Sequence, residues 1–118
     1  MKYKTCISIA EKTPDKIKSK LKIALKKSDY VEIRLDFLKI EQIPNVLEII
    51  KKDLNKIICT LRPKTEGGVF PGNEKERISI IKLIAEYNPF LLDIEFNTLK
   101  KNKELVKYLK STKTKLLV

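Results

Sequence analysis

The sequence predicts an α/β protein built on a parallel sheet. Four short apolar runs are each followed by a longer segment with helical periodicity, and a fifth apolar run comes last. Within these runs most positions are hydrophobic whichever face they occupy, which is typical of parallel strands covered by helices. The length of 118 residues and the hydrophobic fraction of 42% predict one domain with one core, over residues 1–118.

Strands and helices are predicted in strict alternation. The strands cover residues 4–10, 30–36, 56–62, 90–95 and 114–118, and the helices cover residues 14–27, 43–52, 73–87 and 98–111. Thr13 before Pro14 is typical of a helix start, Pro44 fits the first turn of the second helix, and Thr98 fits a cap on the fourth. Apolar residues recur at helical spacing in the first three helices, so each of these has one face to bury.

Two α/β architectures fit this order: an open doubly wound sheet and consecutive units of a (β/α)8 TIM barrel. An open nucleotide-binding sheet usually has a glycine-rich turn after its first strand, and residues 10–14 contain no glycine. The barrel is therefore favoured. Because a complete barrel takes about 250 residues, we expect the first four βα units and the fifth strand, with two open sheet edges. We expect a longer polypeptide, a homodimer or a complementing segment to cover them.

Composition excludes several kinds of function. The chain has 26 Lys+Arg, 15 Asp+Glu and no histidine, so no histidine of this chain can serve as a base or ligand. The formal charge of +11 suggests nucleic-acid binding, but the basic residues include only three arginines and the lysines are interspersed with acids, which favours solvated surfaces. We therefore expect no nucleic-acid partner.

The remaining composition points to a cytoplasmic protein without a metal. Cys6 and Cys59 are far apart in apolar runs, so we expect two buried, reduced thiols and no metal site. No apolar run reaches the roughly 18 residues that cross a bilayer, and the first residues do not resemble a secretory signal. A membrane partner is not expected.

Charged residues occur inside strands that otherwise look buried. Alternation in the second strand places Glu32, Arg34 and Asp36 on one face, which in a barrel is the interior. Charges there cost several kcal/mol each unless they are paired or bound to a ligand. A structural ion pair and a substrate site are the two interpretations. In the third strand Thr60 and Arg62 share a face in the same way.

The segment after the third strand contains all three glycines of the chain. Residues 63–72 read Pro-Lys-Thr-Glu-Gly-Gly-Val-Phe-Pro-Gly, with Glu66 at the bend. Clustered glycines predict a sharp bend or a close approach to the backbone, although a flexible connecting loop is the alternative. The fourth strand ends in Asp93 and Glu95 on a common face. Charges from three strands thus converge at the carboxyl ends, where barrel enzymes build their sites.

This ordered set of motifs resembles type I 3-dehydroquinate dehydratase, the Schiff-base dehydratase of the shikimate pathway of aromatic amino acid biosynthesis. The resemblance runs through the whole chain and is carried by Glu-Ile-Arg-Leu-Asp at 32–36, Thr-Leu-Arg at 60–62, Glu-Gly-Gly at 66–68 and Asp-Ile-Glu at 93–95. It implies a lyase with a (β/α)8 barrel that converts 3-dehydroquinate to 3-dehydroshikimate and water without a metal or an organic cofactor.

The resemblance also assigns roles. Four side chains resemble the substrate-binding residues of the family: Glu32, Arg34, Arg62 and Ser8. Glu66 resembles the acid that holds the catalytic histidine, and Asp93 resembles a supporting acid of the same cluster. These roles suit a hydroxylated anion, because arginine donates to carboxylate and hydroxyl oxygens and a carboxylate accepts from hydroxyls.

The chain departs from the family in its covalent machinery. In the family a lysine condenses with the substrate ketone and a histidine moves the proton, and both lie beyond the matched segment. Lys64 and Lys115 are not candidates for the Schiff base, since one lies in a loop and the other at the start of its strand. We therefore expect the chain to be inactive alone. A non-catalytic α/β half-barrel interaction module is the alternative.

Overall fold

A parallel sheet of five strands organises the fold. The computed structural model describes residues 3–118. The strands lie side by side in chain order: β1 Cys6–Ile9, β2 Tyr30–Arg34, β3 Ile57–Thr60, β4 Leu91–Asp93 and β5 Leu116–Leu117. All four neighbouring pairs are parallel. The predicted α/β class is confirmed, and the strand order is that of consecutive units of a TIM barrel.

The first helix shows how local chemistry sets a boundary. Helix α1 covers Pro14–Lys27, as predicted. The Thr13 hydroxyl oxygen accepts a hydrogen bond from the backbone N–H of Lys16 at 3.3 Å. Pro14 stands in the first turn, where its missing N–H breaks no helical bond. Both of these contributions to the start of the helix are local in the sequence.

The other helices pack with α1 against one face of the sheet. They are α2 Ile43–Ile49, α3 Glu74–Tyr87, α4 Phe96–Lys101 and α5 Lys103–Ser111. Val31, Ile33, Ile57 and Cys59 point to this face and are fully buried. The core therefore lies between helices and sheet. The opposite face, called the inner face below, carries the side chains that alternate with these.

Most predicted elements are longer than the observed ones. The strand predicted at 114–118 is only Leu116–Leu117, and residues 35–36 leave the second strand for a 3₁₀ turn over Leu35–Phe37. The helix predicted at 43–52 ends at Ile49, before a 3₁₀ segment over Lys51–Lys56. Apolar residues continue beyond the last residue of an element that makes its regular backbone hydrogen bonds. The apolar pattern alone therefore overestimates the lengths of the strands and helices.

The fourth predicted helix is two helices. A break at Asn102, with φ −131° and ψ 76°, separates α4 from α5. Thr98 lies inside α4 and is buried, so the prediction that it caps the helix was wrong. Its hydroxyl instead bonds to Arg77 at 2.5 Å and to Glu95 at 3.1 Å. Glu95 directly precedes α4, whereas Arg77 comes from α3, a distant segment of the chain.

The two cysteines have different environments. Cys59 is buried, as predicted, and burial raises the pKa of its thiol to about 12. Cys6 is exposed, which contradicts the prediction of a buried thiol. It lies on the edge strand β1, opposite Tyr30 of β2, on the face that the helices do not cover. Both thiols are free.

The sheet is open at both edges. Among residues 3–118, β1 pairs only with β2 and β5 pairs only with β4. Leu116, Leu117 and Val118 are exposed apolar residues at the β5 edge. An open edge of this kind is a template for another strand. No helix within residues 3–118 is long and apolar enough to span a membrane.

Candidate functional site

Strand register brings the predicted site residues onto the inner face. Ser8 of β1 lies opposite Glu32 of β2, and Arg34 lies opposite Thr60 of β3. Thr60 in turn lies opposite Asp93 of β4. Partners in a parallel ladder point to the same side of the sheet. Four strands therefore contribute polar side chains to one surface near their carboxyl ends.

Glu32 is held between two hydroxyl groups. The Ser8 hydroxyl donates to its Oε1 and the Thr60 hydroxyl donates to its Oε2, both at 2.6 Å. Each carboxylate oxygen thus has one donor and keeps capacity to accept another. Thr60 is fully buried, and its hydrogen bond orients Glu32. The strand alternation predicted Thr60 on this face but indicated no role for it.

Arg34 forms a fork with Asp36. Its Nε and Nη2 donate to the two carboxylate oxygens at 3.1 and 2.9 Å. This hydrogen bonding raises the pKa of Arg34 despite partial burial. Asp36 is not in the strand, contrary to the predicted alternation; it is buried in the following turn, where it also accepts the Val69 N–H at 3.1 Å. It therefore links Arg34 to the glycine-rich loop.

Arg62 lies between two acids. Its Nη2 donates to Oδ2 of Asp93 at 2.8 Å, and its Nε lies 3.4 Å from Oε2 of Glu95. The second contact is an ion pair by distance but lacks hydrogen-bond geometry, so both of its atoms have no hydrogen-bond partner within residues 3–118. Burial raises the pKa of Asp93; Arg62 offsets part of this increase, while Glu95 and Glu32 add to it.

The glycine-rich loop makes the close approach that its composition predicts. Gly67 has a φ of +82°, the left-handed conformation that glycine favours. A Cβ on Gly68 would lie 2.1 Å from the carbonyl oxygen of Arg62. Glu66 is exposed at this bend, and its Oε1 accepts from the Asn97 amide at 3.4 Å. The inner-face cluster consists of Ser8, Glu32, Arg34, Thr60, Arg62 and Asp93. Glu66 stands at the carboxyl ends of the strands but makes no hydrogen bond with this cluster among the described residues.

Arg77 is a charged residue whose place the sequence reasoning missed. It lies on α3 and is 1% exposed. All five of its N–H donors have acceptors: both Glu74 oxygens at 2.6 and 3.1 Å, the Leu61 carbonyl at 3.1 Å, Glu95 at 2.9 Å and Thr98 at 2.5 Å. Burial alone would lower the pKa of Arg77, but Glu74 and Glu95 together outweigh burial and raise it. Arg77 lies on the same face of α3 as Ile81 and Ile84, and this spacing was the feature of the sequence that could have indicated its burial.

The site suits recognition of oxygen-rich anions. Within residues 3–118, no group of three or more His, Cys, Asp or Glu side chains is arranged to hold a metal ion. Lys64 and Lys115 are exposed, and neither is among the partners of the inner-face cluster. Paired arginines and carboxylates at strand ends are equipped to bind carboxylate and hydroxyl groups.

Consecutive βα units with a polar cluster at the carboxyl ends of the strands define the class of (β/α)-barrel proteins. Comparison with known families narrows this class. The family model described as type I 3-dehydroquinase matches residues 5–118. The chain belongs to this family of lyases.

Individual relatives agree with the family. The 3-dehydroquinate dehydratase of Methanocaldococcus jannaschii is 34% identical over 120 residues, which cover 96% of this chain and 50% of the relative. The bifunctional 3-dehydroquinate dehydratase/shikimate dehydrogenase of Arabidopsis thaliana is 41% identical over 69 residues, covering 58% of this chain and 11% of the relative. The chain therefore spans about half the length of the single-function relative.

A solved structure shows the same fold. The 3-dehydroquinate dehydratase of Geobacillus kaustophilus matches with a TM-score of 0.80 and 22% identity, over 98% of this chain and 49% of that one. The five parallel strands therefore correspond to about half of a TIM-barrel structure, as the length of the chain predicted.

Proposed function

We propose that this chain provides the substrate-binding half of a 3-dehydroquinate dehydratase. The complete enzyme converts 3-dehydroquinate to 3-dehydroshikimate and water in the shikimate pathway, and it acts in the cytoplasm. The observation that supports it is the convergence of Ser8, Glu32, Arg34 and Arg62 on one face near the carboxyl ends of three strands. The M. jannaschii relative of this name matches across nearly the whole chain.

The two arginines supply the donors for an anionic, hydroxylated substrate. Their side chains are 24% and 29% exposed for Arg34 and Arg62, so a ligand on the inner face can reach them. In each arginine Nη2 donates a hydrogen bond to an acid, and Nη1 makes no hydrogen bond among residues 3–118. A guanidinium held in this way donates to a carboxylate or hydroxyl with little loss of side-chain entropy.

Glu32 and Ser8 supply the complementary groups. Glu32 already accepts from the Ser8 and Thr60 hydroxyls, so its orientation is fixed before substrate arrives. Its remaining lone pairs accept from substrate hydroxyls. The Ser8 hydroxyl is exposed beside it and contributes a further polar contact.

The covalent steps need two residues outside this chain. A lysine amine adds to the substrate ketone, and the ketone oxygen leaves as water to give an iminium. A histidine removes the proton from the adjacent carbon and protonates the departing hydroxyl, after which hydrolysis releases the product and the lysine. The chain contains no histidine. It should therefore be inactive until another segment supplies both groups.

Glu66 and Asp93 act as supporting acids in this scheme. Glu66 is exposed with a single weak amide contact, so its carboxylate is available to a histidine N–H from the completing segment. Asp93 holds Arg62 through Nη2. Neither acid would touch the reacting bond.

The open edges fit a completing segment better than a second copy. β1 and β5 each lack one neighbour within residues 3–118. A second copy would cover these edges but would bring no histidine, because the sequence has none. The three further strands of an eight-stranded barrel would pair with both open edges and would supply the missing histidine and lysine. Fusion in relatives such as the A. thaliana protein suggests a shikimate dehydrogenase domain as a further partner.

A mixing experiment tests the proposal. The 118-residue chain is assayed for the ultraviolet absorbance of the enone product, alone and with the carboxyl-terminal half of the M. jannaschii relative. We expect no turnover from either part, turnover from the mixture, and a borohydride-trapped adduct on the added half only. Turnover by the chain alone, or a folded mixed complex that binds no 3-dehydroquinate, would contradict the proposal.

A non-catalytic interaction module is the second candidate. It is favoured by the exposed Leu116, Leu117 and Val118 at the β5 edge, which are suited to burial against another chain. Mass measurement in solution separates the two: a folded dimer that excludes the added half supports the module, whereas a mixed complex supports the enzyme.

A further inference from the structure

Arg77 and Arg62 hold opposite sides of one buried carboxylate. Oε1 of Glu95 accepts from Nη1 of Arg77 at 2.9 Å and from the Thr98 hydroxyl at 3.1 Å. Oε2 of Glu95 faces Nε of Arg62 at 3.4 Å without a hydrogen bond. Glu95 is therefore fixed from the helix side and only loosely engaged from the inner face.

Arg62 has two acids within reach, Asp93 and Glu95. A buried carboxylate without a cation is costly, so it recruits any positive group within reach. Because Arg77 already compensates Glu95, Arg62 is free to direct Nη2 to Asp93 at 2.8 Å. Without Arg77, the strongest available partner for Glu95 would be Arg62.

We propose that Arg77 is a positioning residue for Arg62: by compensating and fixing Glu95 it keeps the Arg62 guanidinium turned toward Asp93 and the inner face. The substrate-binding consequence rests on the proposed function, in which Arg62 contacts 3-dehydroquinate. The orientation of Arg62 itself does not depend on that function.

A purely architectural role for Arg77 is the competing explanation. Arg77 ties α3 to the Leu61 carbonyl and to Thr98, so its loss lowers stability on either account. The two accounts differ at Arg62 and Asp93, which Arg77 does not touch. Only a positioning role requires these two side chains to change in a variant that remains folded.

Two substitutions form a matched pair for the test. Arg77→Met keeps a long side chain but removes the charge that faces Glu95. Glu74→Gln changes the other acidic partner of Arg77, whose side chain is 53% exposed, and leaves the Arg77–Glu95 contact in place. Both are measured in the 118-residue chain, with thermal unfolding to confirm a folded state.

Nuclear magnetic resonance reports on the two affected groups. The chain has only three arginines, so the Nε–H signal of Arg62 can be assigned by elimination with single variants. In Arg77→Met we expect this signal to shift and the pKa of Asp93 to rise, because Arg62 turns from Asp93 to Glu95 while Glu32 still repels the Asp93 charge. Glu74→Gln should leave both values at wild type.

A third substitution covers the case in which Arg77→Met does not fold. Thr98→Val removes one donor to Glu95 and one acceptor of Arg77, so it loosens the hold of Arg77 on Glu95 and should shift the same signals in the same direction by a smaller amount. An Arg62 signal and an Asp93 pKa that stay at wild-type values in the folded variant would overturn the proposal.

Ligand binding separates this inference from the proposed function. In the mixed complex we expect Arg77→Met to weaken 3-dehydroquinate binding about tenfold and Glu74→Gln to change it less than about twofold. If the wild-type complex binds no 3-dehydroquinate, the proposed function fails, while the Arg62 and Asp93 signals still decide the positioning role.

Discussion

Nη2 of Arg62 and Oδ2 of Asp93 lie 2.8 Å apart, joining the ends of β3 and β4 across the inner face. The pair does not restore the ordinary pKa of the acid, since burial and the nearby Glu95 and Glu32 outweigh the arginine. Arg62 therefore stabilises a carboxylate that remains partly destabilised by its surroundings. This places a proton-sensitive group beside the proposed substrate-binding arginine.

The raised pKa of Asp93 predicts a pH dependence of stability. Its ordinary value is 3.8, and the folded value is higher, so the folded state binds the proton more tightly than the unfolded state. The contribution of Asp93 to stability is greatest below 3.8 and declines as pH rises through the folded pKa. Asp93→Asn should remove this decline. Urea unfolding of wild type and variant from acid to neutral pH measures the difference; parallel curves would contradict the prediction.

Gly68 predicts a packing cost at the site. A methyl group there would meet the Arg62 carbonyl oxygen at 2.1 Å and the carbonyl carbon at 2.4 Å. Since both are backbone atoms, we expect Gly68→Ala to lower the unfolding free energy by about 1–3 kcal/mol, the range of overpacked substitutions.

Gly67 is the matched control for this substitution. A methyl group on Gly67 would meet no atom within 4 Å, so only the φ of +82° opposes a side chain. We expect Gly67→Ala to cost about 1 kcal/mol and Gly67→Asn less, because asparagine tolerates the left-handed region. Urea denaturation of the three variants gives the ranking. A milder effect for Gly68→Ala than for Gly67→Ala would contradict the close approach.

The thiols predict a simple reactivity pattern. Cys6 is exposed, whereas Cys59 is buried with a pKa of about 12. A disulfide reagent should modify one thiol in the folded chain and two in denaturant, since the thiolate is the reactive form. Partial desolvation of the Cys6 sulfur raises the pKa of this thiol as well, so its reaction should accelerate as pH increases toward and above 9.0. Cys6→Ser should abolish the rapid reaction; if it persists, Cys59 is accessible.

Local sequence chemistry predicted the elements that it alone controls. The start of α1 follows from Thr13 and Pro14, whose roles are decided within one turn. The strand alternation around Glu32 and Arg34 likewise depends only on the two-residue period, and it placed both on the inner face. The ordered motifs then led to the family that the family model supports.

Features decided by distant partners were not predictable. Thr98 looked like a helix cap, but its hydroxyl is taken by Arg77, and the helix breaks at Asn102 without a proline or glycine to announce it. The burial of Arg77 depends on Glu95 and on the Leu61 carbonyl, which the fold brings to it. The exposure of Cys6 depends on which sheet face lacks a covering layer.

Titration of the chain with 3-dehydroquinate, followed at its three arginine Nε–H signals, tests the central claim most directly. Arg34 and Arg62 flank the proposed substrate position, while Arg77 is buried behind it with every donor already bonded. Saturable shifts of the Arg34 and Arg62 signals, with a much smaller change at Arg77, are the predicted result. Saturation that moves neither signal, or binding confined to lysine-rich surfaces away from the inner face, would contradict it.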